Sequence, residues 1–302
     1  MPSDAAIPQK VTAPAPPGPF RAFWRAFREN RGAVIGLTVV SLIFLLAIFA
    51  NVLAPHDPAE QFRGFSKLPP FWMEGSDPRF LLGTDAVGRD MLSRLMYGAR
   101  VSLFIGIAVM AVSMLAGIAL GLTAAFFGGL IDVMIIRVMA LIMAIPSLVL
   151  AILIIAIIGP NLTNTIVAVT IVGLPRYVRL VRASALTELT KDYVTAAKVS
   201  GVRKFRLMTV TVLPNCLAPL IVQAALGLSD AILEAAGPGF LGHGPQPPPP
   251  ERGAKLAATR TYQAGQPGSE VFPGLSILTT VLAINLMGDG LRDALDPRLR
   301  RS

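Results

Sequence analysis

Residues 101–127 read VSLFIGIAVMAVSMLAGIALGLTAAFF, an uninterrupted run without a charged side chain and rich in Ala, Gly, Ser and Met. About 20 apolar residues in a helix cross a hydrocarbon core of about 30 Å, and small residues let such helices approach closely. The run therefore predicts a transmembrane helix. Working outward, charge-free runs at 34–53 and 138–158 predict two more. The run 162–174 is only 13 residues long before Pro175 and Arg176, so polar ends or neighbouring helices must complete it. Residues 214–233, which contain Asp230, and 271–287 complete the set. Six spans leave little room for a soluble core, so the expected fold class is an all-α polytopic membrane protein with six transmembrane helices.

Composition supports this reading. The 302 residues are 53% hydrophobic and 15% charged, against about 25% charged in soluble domains, and mean hydropathy is +0.62. One cysteine, Cys216, and two histidines, His56 and His243, exclude a disulfide framework and a Cys/His metal site within the chain. A net charge of +9 and a pI near 10.3 invite a nucleic-acid reading, but the location of the charge argues against it. With the N-terminus inside, 18 of the 27 Lys and Arg residues fall on the inner side, eight of them in 175–213. That is the positive-inside bias of a membrane protein with both termini cytoplasmic. Residues 1–20 are rich in Pro and Ala and read as a disordered tail. The apolar run that follows is too long for a signal-peptide core. Phe20, Phe23, Trp24 and Phe27 among Arg21, Arg25, Arg28 and Arg31 suit an amphipathic helix on an anionic inner leaflet.

The most informative loop is 175–215, PRYVRLVRASALTELTKDYVTAAKVSGVRKFRLMTVTVLPN. Good helix formers run from Tyr177 to Val199, Gly201 allows a tight turn, and a short helix is expected from Arg203 toward Leu213. Pro214 fits the first turn of the next helix. Ala196 and Ala197 are small enough to press into a groove, with Lys191, Lys198, Arg203, Lys204 and Arg206 alongside. On the residues alone, an interfacial helix held by anionic lipid is the other reading.

Ala196-Ala197, then Gly201, then Leu213-Pro214-Asn215 resemble the EAA loop of binding-protein-dependent ABC importer permeases. Thr195 and Thr211 depart from the Glu and His usual in that loop. Residues 82–103, LGTDAVGRDMLSRLMYGARVSL, resemble the segment before the second span in the dipeptide, oligopeptide and nickel subfamily, its "C"-type subunit. There Gly83 and Gly88 supply turns, Thr84 or Asp85 is expected to cap a helix, and Asp90 and Arg94 are spaced as an i, i+4 ion pair. The end of the chain, FPGLSILTTVLAINLMGDGLRDALDPRLR from Phe272, resembles the last span and tail of the same subfamily, with Gly288, Asp289 and Gly290 expected to end the helix. Gly129, Asp132, Arg137, Pro146 and the run Arg179 to Arg182 agree more weakly.

The resemblance implies a type I ABC importer transmembrane fold. It divides the chain into a cytoplasmic tail with a basic helix (1–33), a first span (34–53), a periplasmic segment (54–100), a domain of five helices (101–290) with a cytoplasmic coupling loop (175–213), and a short cytoplasmic tail (291–302). Its implied partners are a second homologous permease, two ATP-binding subunits, an extracytoplasmic solute-binding protein and the lipid bilayer, in the bacterial inner membrane, with no nucleic acid. Coupling to the ATPase is expected of Ala196, Ala197, Gly201, Arg203 and Pro214. The substrates implied are di- or oligopeptides, or nickel chelates, glutathione and other small solutes.

No Gly-Lys pair occurs, so ATP hydrolysis is expected on partner chains, with no cofactor or metal in this one. Ala140 stands where many relatives carry Asp. Asp230 is an ionisable group inside a span, expected either to line the translocation path or to lie near the outer headgroups. The segment 237–270 carries Glu251, Arg252 and Lys255 where relatives are apolar or aromatic. Two other classes stand beside the importer. An intramembrane enzyme would need a nucleophile and base at membrane depth, and an ATPase-independent channel or carrier would have only Asp230 in its favour.

Overall fold

The computed structural model describes residues 18–240 and 268–295. The expected tail at 1–17, most of the divergent segment (241–267) and the charged end at 296–302 lie outside the described residues. Every regular element among the described residues is helical: α1 Pro19–Glu29, α2 Arg31–Ile48, α3 Ala50–Leu53, α4 Met91–Phe127, α5 Gly129–Ala144, α6 Ser147–Ile158, α7 Leu162–Leu189, α8 Asp192–Val199, α9 Lys204–Arg206, α10 Leu217–Phe240 and α11 Gly268–Leu295. A π-helical stretch, Leu207–Val212, and a 3₁₀ turn, Leu213–Cys216, join α9 to α10.

The packing centre is α4 against α7, where Gly117 and Gly121 form a small-xxx-small face. A Cβ at Gly117 would stand 2.4 Å from Cβ of Tyr177, and one at Gly121 2.7 Å from Cβ of Val181, so only bare backbone lets these helices meet. The other end of α4 is capped by Asp90, whose Oδ2 accepts from the Ser93 N–H at 2.9 Å and from the Ser93 hydroxyl. The segment 54–90 is built from turns around a fully buried Phe80, with His56, Phe62 and Phe65 rings against it. Gly83 and Gly88 have φ of +75° and +81°, as their turns require.

Several expectations are corrected. Asp90 caps α4, and Arg94 pairs with Asp85 at 3.4 Å instead. Asp85 itself closes a turn onto the Val87 and Arg89 N–H groups, and the Thr84 hydroxyl donates to the Phe65 carbonyl. The run 138–158 is not one straight span: α5 begins at Gly129 and meets α6 at a bend of 95°. The cause is Pro146, which drives the residue before it out of the helical region; Ile145 has φ −96° and ψ 134°. The connection between α4 and α5 is only the turn at Gly128–Gly129.

The fourth run does not end at Pro175. α7 runs through it to Leu189, 28 residues in all, roughly 42 Å. The helix expected from Tyr177 to Val199 breaks at Thr190–Lys191 into α7 and α8. Pro214 falls in the first turn of a short 3₁₀ helix, Leu213–Cys216, as expected, and this turn continues into α10 within a longer helical run, Lys204–Gly239, that is π-helical at Leu207–Val212. The missing N–H of Pro214 leaves room for Asn215 Nδ2, which donates to the Thr211 carbonyl at 2.8 Å. Gly288 to Gly290 do not end the last helix, which reaches Leu295. They serve packing: a Cβ at Gly290 would stand 2.0 Å from Cβ of Ala33. Among the described residues, four helices are long and apolar enough to span a membrane and the α5–α6 pair makes a fifth; α7 carries Arg176, Arg179 and Arg182 in its second half.

Candidate functional site

Two sites emerge, one on the hairpin that follows α7 and one inside the helix bundle. The hairpin is anchored by Val194, fully buried in a cluster with Val181, Val212 and Cys216, while Ala197 packs against that cluster from the edge. α8 ends in a Schellman motif: the Val202 N–H bonds the Ala197 carbonyl at 3.2 Å and the Gly201 N–H bonds the Lys198 carbonyl at 3.1 Å. Gly201 takes φ +75°, and nothing lies within 4 Å of where its Cβ would be. Its role in the hairpin is backbone shape, with open space around it.

The expected coupling residues therefore divide. Ala196, Gly201, Arg203 and Pro214 are exposed and Ala197 is half-buried. Near them in the chain Val199 is 84% and Phe205 75% exposed, among the basic residues Lys198, Arg203, Lys204 and Arg206. Sequence reasoning missed the residue that holds the hairpin to α7. Glu188 is buried, accepts from Lys191 Nζ at 2.6 Å and accepts from the Tyr193 hydroxyl. Burial alone would raise its pKa, but the Lys191 and Tyr193 bonds outweigh it and hold the carboxyl below its ordinary range. Burial, reinforced by the Glu188 bond, pushes the Tyr193 phenol up to about 12. Further along α7, Arg182 grips Asp132 of α5 through two bonds of 2.5 and 2.6 Å, a fork geometry that fixes both helices.

The second site changes the place of one residue. Arg176, counted above in the inner loop, lies at the middle of α7 and reaches two carboxylates of α10. It bonds Asp230, and its Nη2 lies 3.1 Å from Glu234 Oε1. α7 and α10 run antiparallel, so Arg176 meets 230 and 234 while Val181 and Ala185 meet Cys216 and Leu220. Gly227 opposes Tyr177, whose hydroxyl would be 2.0 Å from a Cβ there. A cavity of about 10 Å³ lies among Ser113, Tyr177, Gln223 and the three charged groups. The legible signal was the i, i+4 pair of acids on one face of an apolar helix, with no cation on that helix to balance it.

Residues 117–301 match the family described as the binding-protein-dependent transport system inner membrane component, and residues 18–70 match the N-terminal TM domain of oligopeptide transport permease C. The chain belongs to the binding-protein-dependent transport permease family. This permease is 54% identical to the di/tripeptide transport system permease protein DppC of Pseudomonas aeruginosa, over 95% of its own length and 94% of that protein's. It is 53% identical to the dipeptide transport system permease protein DppC of Escherichia coli K12, over 96% and 97%. Among solved structures it resembles the MetNI methionine ABC transporter in an inward-facing conformation, with a TM-score of 0.57 at 18% identity over 68% of this chain and 98% of that one. The fold is thus the type I ABC importer transmembrane fold. The permease is a multi-pass inner-membrane subunit of an ABC importer, a transport component and not an enzyme.

Proposed function

We propose that the permease forms half of the translocation pathway for dipeptides or closely related small peptides, beside a second homologous permease, with two ATP-binding subunits and an extracytoplasmic solute-binding protein. The observation that carries this reading is the identity above one half, along nearly the whole length, to permeases named for dipeptides. Both termini are cytoplasmic, 54–100 is periplasmic, and the hairpin around α8 is cytoplasmic. ATP binding and hydrolysis reside on partner chains, and this chain holds no cofactor.

The hairpin is the coupling element. Ala196 presents a small surface to a groove on the ATPase, Ala197 and Val194 fasten α8 to the bundle, and Gly201 sets the turn. Arg203 adds charge at the rim, and Pro214 sits in the irregular helix at the base. When ATP closes the ATPases, α8 moves, and α7 carries the movement through Arg182–Asp132 to α5. The cavity then opens outward, and hydrolysis and release return it inward. Asp230 lines that path.

The test is uptake of radiolabelled dialanine into proteoliposomes that hold the permease with a second permease, ATPases and binding protein of the same importer. Uptake should require ATP and the binding protein, and Ala196→Cys should cross-link to an ATPase subunit. Uptake without ATPases would establish the channel or carrier class instead.

A further inference from the structure

The Arg176–Asp230–Glu234 cluster has a charge imbalance. Its lining holds one guanidinium and two carboxylates, and among the described residues no second cation faces it. Asp230 and Glu234 lie on a helical run, Lys204–Gly239, that is long and apolar enough to cross a membrane, and Arg176, the fifteenth residue of the 28 in α7, meets them from the middle of its own helix. Ionised carboxylates within such an apolar run are costly when left uncompensated, and such groups mark substrate paths or proton relays. Two carboxylates against one guanidinium leave the site with a place for one more positive charge.

The geometry limits what that charge is. The cavity holds about 10 Å³, room for one water-sized group. Glu234 lies at its depth with 15% of its side chain exposed, whereas Asp230 and Arg176 are 46% and 40% exposed at the mouth. A primary ammonium head fits this space, and a larger side chain remains outside. We propose that Asp230 and Glu234 bind the α-ammonium group of the peptide in transit, with Arg176 as the internal counter-cation that holds the two carboxylates together between passages. This deepens the peptide reading and rests on it. The site takes the one end that every peptide shares and leaves side chains outside, so one pathway serves peptides of differing sequence.

The test is uptake of radiolabelled dialanine per ATP hydrolysed in the reconstituted complex. Asp230→Asn and Glu234→Gln each leave Arg176 one carboxylate, and each should lower that ratio at least tenfold. The neutral triple variant Arg176→Gln, Asp230→Asn, Glu234→Gln removes the charge with no buried ion left unpaired, and should lower it as far. A triple variant with the ratio of the natural chain overturns the proposal; if that variant does not assemble, an unchanged ratio in both single variants overturns it. Uptake by the natural chain that a protonophore abolishes, with the variants indifferent to it, assigns the excess charge to a proton and also overturns it. No dialanine uptake by the natural complex removes the peptide reading and this site together, whereas normal uptake in all variants removes this site alone.

Discussion

At Gly201 the structure separates two reasons for a glycine. No atom lies within 4 Å of the position its Cβ would occupy, but φ is +75°, where a non-glycine residue costs about 1–2 kcal/mol and a β-branched one more. Asn tolerates this region because its side chain bonds locally. Gly201→Asn should therefore retain most solute-stimulated ATP hydrolysis, while Gly201→Val should lose most of it, in the reconstituted complex. Equal loss in both would mean that bulk, not backbone shape, matters at this turn. The glycine was legible in the sequence as a turn, because positive φ is a local property. Arg176 was not: beside Pro175 and in a run of arginines it read as an inner-loop charge, and only its partners on another helix place it in the bundle.

Among the elements, α8 is tied to the end of α7 by Glu188, which accepts from Lys191 and Tyr193. The Glu188 carboxyl is held below its ordinary range by Lys191 and Tyr193. A carboxyl whose folded pKa is depressed contributes stability that is complete above its unfolded value and decays as pH falls through the folded one. Hydrogen exchange across 190–203 should therefore quicken as pH is lowered below about 4, after correction for intrinsic exchange. Glu188→Gln should exchange faster at neutral pH and lose that pH dependence; an unchanged profile would refute the clamp. The same paragraph of chain shows where element boundaries were hidden. Helix formers run without interruption from Tyr177 to Val199, so propensity alone could not mark the break at Thr190–Lys191. It is placed by Val194, which must reach the core shared with Val212 and Cys216. The bend at Ile145–Pro146 was readable in principle, since proline restricts the residue before it.

For the molecule as a whole, a broad exposed apolar surface lies on α5 and α6. Only Met139, Ala151 and Ile155 of those two helices are buried, while Leu130, Leu141 and Ile157 are 82%, 70% and 76% exposed. Pairing with a second permease would cover part of this face. Cysteines at Leu153 or Ile157 should then cross-link to that subunit in native membranes, and exclusive labelling by photoreactive lipid would show that the pair meets elsewhere.

Hydropathy by itself determined that the chain is a helical membrane protein, because about 20 consecutive apolar residues have no other stable home. Local motifs determined its family, since the strings at 82–103, 196–215 and 272–300 are contiguous in sequence. Tertiary structure alone decided that Arg176 of α7 answers Asp230 and Glu234 of α10, and that Asp132 of α5 answers Arg182 of α7. It also decided that Gly290 packs against Ala33 and does not end its helix. The physical reason is the same in each case. Burial and helix formation are written in neighbouring residues, whereas a charge pair or a glycine contact is defined by the distance between two helices, which only the packed bundle sets.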